Sequence, residues 1–187
     1  MILINPQVLG SIFGLSEFGL LLFKRSHGSA ESADSGSLRV LWIVILASIA
    51  LAIVASLFVP TANSMRLLRL SPIAAGLFVG GLALRWYAIL YLGSLFTVNV
   101  AIAADHRLID SGPYRYIRHP SYTGALLAFL GLGISFGNWV SLIIVVVPPL
   151  LAFMRRMAIE EAALSHALGE SYLQYMARTK RLIPCVY

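Results

Sequence analysis

A chain of 187 residues that is 59% hydrophobic and only 12% charged carries about half the charge of an ordinary soluble domain, which excludes that class and leaves a membrane protein. The net charge of +6 does not mark a nucleic-acid binder: the basic residues sit mostly at the ends of apolar runs, where they set orientation and meet anionic lipid headgroups. The lone cysteine, Cys185, excludes an internal disulfide and a cysteine-rich metal site, and the lack of a basic leader argues against a cleaved signal peptide.

Residues 2–23 are apolar apart from Asn5, Gln7, Glu17 and a few serines, and stop at Lys24-Arg25. They predict a first spanning helix, followed by a polar loop over 26–37. Residues 40–65 contain no charge and exceed the roughly 20 residues that a bilayer crossing needs, with Pro60 expected to end the helix. Arg66 and Arg69 fall in the next loop, and Ser71-Pro72 can open a third helix running to about Gly93. Within it, Gly76 and Gly80 have the spacing that lets two membrane helices approach closely.

Residues 121–154 form a charge-free run of 34, too long for one helix and short for two. With a turn at Gly137-Asn138, each arm of about 16 residues rises only about 24 Å, against a hydrocarbon core of about 30 Å. A short helical hairpin is expected, kinked at Pro148-Pro149. From Ala158 to about Thr179, apolar residues at helical spacing share the segment with Glu160, Glu161, Glu170, Gln174 and Arg178. That pattern predicts an amphipathic helix lying against the membrane surface or the protein.

The fold class is therefore an all-α integral membrane protein with about five transmembrane helices, a short helical hairpin, a cytosolic loop and a C-terminal amphipathic helix. With five spans, three basic groups share one side: Lys24, Arg25 and Arg39; Arg107, Arg115 and Arg118; and Arg155, Arg156, Arg178, Lys180 and Arg181. That side is then cytoplasmic, and only Arg66 and Arg69 oppose it.

The densest polar stretch is 112–124, GPYRYIRHPSYTG. Pro113 and Pro120 push their neighbours out of helical geometry, so it should be a shaped loop offering Arg115, Arg118 and His119 to an anion. Read alone, it is equally an ordinary basic loop with interfacial tyrosines. On the same face lie His106, Arg155-Arg156 and Glu160-Glu161. Adjacent carboxylates beside cations suit a zwitterion, although spacing alone reads Glu160-Glu161 as an acidic helix start. No pair among His106, His119, His166 and the carboxylates has a metal-motif spacing, so no metal is expected. Neither a glycine-rich phosphate loop nor a G-x-S-x-G elbow occurs. Glu17 and Arg85 are charges inside apolar segments and must face protein or a watery pocket. They pair with each other, or Arg85 snorkels, or Arg85 holds an anionic substrate head.

The run DHRLIDSGPYRYIRHPSYTG over 105–124 resembles the signature of the isoprenylcysteine carboxyl methyltransferase family, which is related to the phospholipid methyltransferases. The tail is similar too: Arg156, then Glu160-Glu161, then LGESYLQY and LIP. Leu84-Arg85 and Leu92-Gly93 match a weaker upstream pattern. The resemblance implies a membrane enzyme that uses S-adenosylmethionine without a Rossmann domain. It divides the chain into transmembrane helices over 1–94 and a methyltransferase core over 95–187, made of a cytosolic loop 95–120, a hairpin 121–157 and a terminal helix 158–180.

By carry-over, His119, Pro120, Tyr122 and Gly124 shape the cofactor pocket, Glu160 and Glu161 hold its polar ends, and Tyr114 and Arg118 add contacts. Arg156, Arg85 and His106 are the catalytic candidates, Arg156 by orienting a carboxylate. The implied partners are membrane lipids and a lipidic or prenylated acceptor, met at the cytoplasmic face of a bacterial inner membrane or of the endoplasmic reticulum. O-methylation of an isoprenylcysteine-like carboxylate leads. N-methylation of a phospholipid amine, with His106 or a glutamate as base, comes second, followed by a nicotinamide-dependent membrane reductase and a non-enzymatic scaffold. The chain is shorter than eukaryotic members and has Arg155, Met157 and Ala158 where they are more acidic, which leaves the acceptor more open than the cofactor.

Overall fold

Inside a bilayer every backbone amide needs a partner from its own segment, and a helix provides one. The computed structural model describes residues 5–23, 35–60, 72–93, 108–184 and 186–187, and among these the apolar stretches are helical. The α-helices are α1 Pro6–Phe23, α2 Ser35–Phe58, α3 Pro72–Leu92, α4 Pro120–Ser135, α5 Trp139–Leu168 and α6 Glu170–Arg178, with a 3-10 turn at Gly112–Arg115. The all-helical membrane class expected from composition is what folds. Three of these helices (α2, α3 and α5) are long and apolar enough to cross a membrane.

The short helix α4 is the centre. Pro120 occupies its first turn, where a missing N–H costs nothing and a fixed φ favours entry. The amides of Tyr122 and Thr123 donate to the His119 carbonyl, each at 3.1 Å. Its 16 residues are apolar on every side and largely buried, the mark of a helix enclosed by protein rather than facing lipid. Enclosure also explains why a helix too short for the hydrocarbon core is tolerated. The turn to α5 uses Gly137 at φ +75°, and the Asn138 side chain caps α5 by accepting from the Ser141 amide at 2.8 Å.

Contact between α3 and α4 is by backbone. A Cβ on Gly124 would stand 2.5 Å from the Arg85 amide nitrogen and the Gly81 carbonyl oxygen, and one on Gly131 would stand 2.5 Å from the Ala74 oxygen. The close approach therefore runs through Gly81, Gly124 and Gly131. Gly76 and Gly80, whose spacing suggested that role, are exposed, and a Cβ on either meets nothing within 4 Å among the described residues. Spacing identifies a face able to pack but not the helix side that does. Rings connect the remaining helices: Phe13 of α1 lies 4.6 Å from Phe129 of α4, and Phe153 of α5 lies 4.8 Å from Tyr122. Helix α2 runs along α5 and accepts from the Ser141 hydroxyl at the Ala52 carbonyl, 2.9 Å.

The C-terminal segment corrects the sequence boundary. No helix starts at Ala158: α5 continues through Pro148-Pro149 and past Arg155 to Leu168. Helical periodicity before and after Arg155 is in register, and nothing there breaks it. The break comes at Gly169, φ +57°, after which α6 is only nine residues. Glu160 and Glu161 are thus mid-helix, and the acidic-helix-start reading fails.

Candidate active site

Three pieces of chain meet at the end of α5 that carries Arg155 and Arg156: the loop before α4, α5 itself and the tail after α6. Main-chain bonds align the loop with the tail. The Arg118 amide donates to the Lys180 carbonyl at 2.8 Å, and the His119 amide donates to that of Arg181 at 3.0 Å. An isolated parallel bridge joins Ile117 to Lys180. The Thr123 hydroxyl adds a bond to the Leu182 carbonyl at 2.8 Å.

Glu161 is the knot of this junction. Its Oε1 accepts from Arg118 Nε at 2.8 Å and lies 3.1 Å from His119 Nε2. Its Oε2 accepts from Arg181 Nη2 at 2.7 Å and Nε at 3.0 Å. The carboxylate is buried, and hydrogen bonding to it raises the Arg181 guanidinium above its ordinary range. Arg118 also donates to the carbonyls of Met176, at 3.1 Å, and Thr179. A carboxylate engaged on both oxygens by two guanidinium groups and an imidazole is a clasp, with no capacity left for a ligand.

Glu160, one residue earlier, is differently placed. Its Oε1 accepts from the Tyr122 hydroxyl at 2.5 Å and lies 3.2 Å from Arg156 Nε. Its Oε2 is 3.6 Å from His119 Nδ1, beyond a direct hydrogen bond. The side chain is 23% exposed, against 4% for Glu161, so Glu160 is the glutamate that can meet a ligand. Buried Arg156 donates through Nε to the Tyr122 hydroxyl at 3.2 Å and through Nη1 to Ser37 Oγ at 3.0 Å. Arg156, Tyr122, Glu160 and His119 form one connected polar wall.

Of the three readings open for Arg85, the pair with Glu17 is the one observed. Nε donates to Glu17 Oε1 at 2.5 Å and Nη2 to Oε2 at 2.6 Å, while Nη1 reaches the Ser121 carbonyl at 3.2 Å. Both side chains are buried. Tyr114 turns away from the polar wall: its hydroxyl donates to the Ala88 carbonyl of α3 at 3.2 Å, and its carbonyl accepts from Tyr175 at 2.6 Å. Burial pushes the Tyr175 hydroxyl up to about 12 and raises those of Tyr114 and Tyr172 above their ordinary range, so all three stay protonated donors at neutral pH. Pro120 begins α4, Gly124 faces α3, and His106 lies outside the described residues.

Sequence reading missed Arg181 and Ser37. Arg181 had been read as an orientation charge. Its position directly before the LIP of the family resemblance was the available signal. Nothing local distinguishes Ser37 from the other serines near it.

The donor set fits a zwitterionic amino acid end. Glu160 has an oxygen without a direct hydrogen bond among the described residues for an ammonium, and the Arg156 guanidinium stands beside it for a carboxylate. The family model described as Isoprenylcysteine carboxyl methyltransferase (ICMT) family matches residues 74–166. The chain is 36% identical over 115 residues to the protein-S-isoprenylcysteine O-methyltransferase of Schizosaccharomyces pombe, covering 60% of this chain and 49% of that one. It is 33% identical over 108 residues to the B form from Arabidopsis thaliana, covering 57% and 55%. It thus spans about half the length of these curated relatives. Among solved structures, the eukaryotic intramembrane Ras methyltransferase ICMT superposes with a TM-score of 0.70 at 25% identity, over 97% of this chain and 65% of that one. On the matched stretch from α3 to near the end of α5, on these relatives and on the shared membrane fold, the chain belongs to the isoprenylcysteine carboxyl methyltransferase family.

Proposed function

We propose that this integral membrane protein is an S-adenosylmethionine-dependent methyltransferase that esterifies the carboxylate of an isoprenylcysteine-like lipidic acceptor. The observation that carries the reading is Glu160. It is a partly exposed carboxylate whose Oε2 makes no direct hydrogen bond among the described residues, held by Tyr122 and Arg156 in a wall that the membrane helices bring to the basic end of the fold. Family membership supports the cofactor, and the arginines and lysine gathered at that end support a cytoplasmic-facing site.

When bound, S-adenosylmethionine supplies a methyl group already activated by its sulfonium, so a carboxylate acceptor needs no base. The protein's tasks are to hold, orient and dry the reactants. Glu160 holds the cofactor's ammonium, and Tyr122 and Arg156 fix Glu160 in turn. Arg156 faces the acceptor carboxylate without trapping it, because its guanidinium already donates to Tyr122 and Ser37. Glu161, Arg118 and Arg181 keep loop and tail closed on α5. Two opposite charges disappear in the transfer, and a water-excluding site favours that loss. Residues 95–187 form the core of this activity and residues 1–94 its membrane frame.

The test is calorimetric titration of S-adenosylmethionine into the purified protein in detergent, followed by methyl transfer to a prenylcysteine analogue and to a phosphatidylethanolamine. Binding with transfer to the prenylcysteine analogue is expected. Glu160→Gln should cost about 1.5–3 kcal/mol of affinity, the worth of a hydrogen bond to a charged group. No binding by the wild type would overturn the reading, and transfer only to the amine would move it to lipid N-methylation.

A further inference from the structure

Helix α1 lies outside the stretch that matches the family, yet it delivers a carboxylate to the edge of the site. Glu17 engages two nitrogens of Arg85, and the third nitrogen reaches the Ser121 carbonyl in the first turn of α4. The next residue is Tyr122, which holds Glu160. Arg85 thus stands one residue from the tyrosine that holds Glu160.

Holding α1 in place does not require this pair. The Phe13–Phe129 contact and the bond from Trp86 Nε1 to Ser16 Oγ at 2.7 Å already attach α1 to its neighbours. What the pair adds to these ties is a balance of charge. Four guanidinium groups are engaged here by three carboxylates: Arg85 by Glu17, Arg156 by Glu160, and Arg118 and Arg181 by Glu161. Without Glu17, four cations would face two carboxylates, and Arg85 would keep an unbalanced charge beside Ser121, one residue from the Tyr122 that holds Glu160. Both consequences disfavour a positively charged ligand, and neither bears on a neutral one of the same shape.

We propose that Glu17 is a positioning residue for the donor. By neutralising Arg85 it leaves Glu160 to the ligand, and it makes the pocket discriminate the sulfonium of S-adenosylmethionine from the uncharged thioether of S-adenosylhomocysteine. This rests on the methyltransferase reading above.

The experiment is the ratio of the two calorimetric dissociation constants, measured with S-adenosylmethionine and S-adenosylhomocysteine on the full chain. In Glu17→Gln the ratio shifts against S-adenosylmethionine by about tenfold, the size of one uncompensated charge at partial burial. Glu17→Asp keeps the charge and stays close to wild type, and Glu17→Gln/Arg85→Gln, which removes both charges, returns the ratio toward it. If Glu17→Gln does not fold, the swapped pair Glu17→Arg/Arg85→Glu carries the test. It retains an ion pair while placing the carboxylate on α3 beside Tyr122, so the ratio must move toward S-adenosylmethionine. Equal losses for both ligands in Glu17→Gln, or an unchanged ratio in the swapped pair, would mean that Glu17 only holds helices together and would overturn the proposal. Failure of the wild type to bind either ligand is a different result and removes the methyltransferase reading itself.

Discussion

Two junctions hold this fold together, by opposite means. Between α3 and α4 the adhesive is shape: Gly81, Gly124 and Gly131 bring the backbones into contact, with a Cβ at any of them colliding at about van der Waals-forbidden range. Between the loop, α5 and the tail the adhesive is charge, concentrated on one carboxylate held by two arginines and a histidine. Within the apolar slab, lipid tails are as apolar as leucine and only close packing favours one helix partner over another. At the basic end the segments are short, a 3-10 turn and a tail without regular structure, and have too little apolar surface to hold themselves in place. A charged clasp does that work, and the difference teaches which substitution each junction cannot bear.

The largest expected effect is on the charged side. Glu161→Gln leaves Arg118, Arg181 and His119 around a neutral amide, and breaking a buried ion pair of this kind costs about 3–5 kcal/mol. Unfolding in detergent should show that loss with or without cofactor, together with faster proteolysis of the tail after Thr179. Glu160→Gln, by contrast, should lose ligand affinity and little stability. If the two variants behave alike, the division between clasp and ligand contact is wrong.

Next comes the shape side. Gly124→Ala adds one methyl where the Arg85 amide nitrogen and the Gly81 carbonyl oxygen leave no room, and overpacking of this sort costs about 1–3 kcal/mol. Gly76→Ala, which meets no described residue within 4 Å on the same α3, is the control and should be neutral to slightly stabilising. Thermal unfolding of the two variants sharpens the contrast, since helix propensity alone would make both substitutions slightly stabilising.

What was legible in the sequence is what local chemistry decides. Gly137-Asn138 turning the hairpin and the non-helical chain ahead of Pro120 depend on residues that restrict or cap their own backbone, but the loop expected over 112–124 ends at His119, because Pro120 opens α4. The carboxylate pair and the loop histidine were visible as a constellation, and they do meet. Three features were not legible. Gly81 rather than Gly76 or Gly80 makes the helix crossing, because the choice depends on how α3 is rotated against α4. Helix α5 runs through Ala158 because a change from apolar to amphipathic composition looks like a boundary, whereas the true one is Gly169. The split between Glu160 and Glu161 depends on Arg181, which chain folding brings to Glu161.

The smallest effect reports on how the loop is seated. The Tyr175 hydroxyl donates to the Tyr114 carbonyl at 2.6 Å from a buried position on α6, so it braces the 3-10 turn ahead of Arg118. Tyr175→Phe removes one neutral hydrogen bond and should cost about 0.5–1.5 kcal/mol at neutral pH. Burial holds the folded hydroxyl at about 12, above the ordinary tyrosine value of about 10. The unfolded chain therefore loses its proton first as pH rises. Stability from this group is complete below about pH 10 and declines toward pH 12, so the gap between wild type and Tyr175→Phe should close over that window. Unfolding measured across it would show this brace to be a neutral hydrogen bond, distinct in kind from the charged clasp at Glu161. No gap at neutral pH would mean that the ring's packing, which Phe retains, and not its hydroxyl, seats the loop.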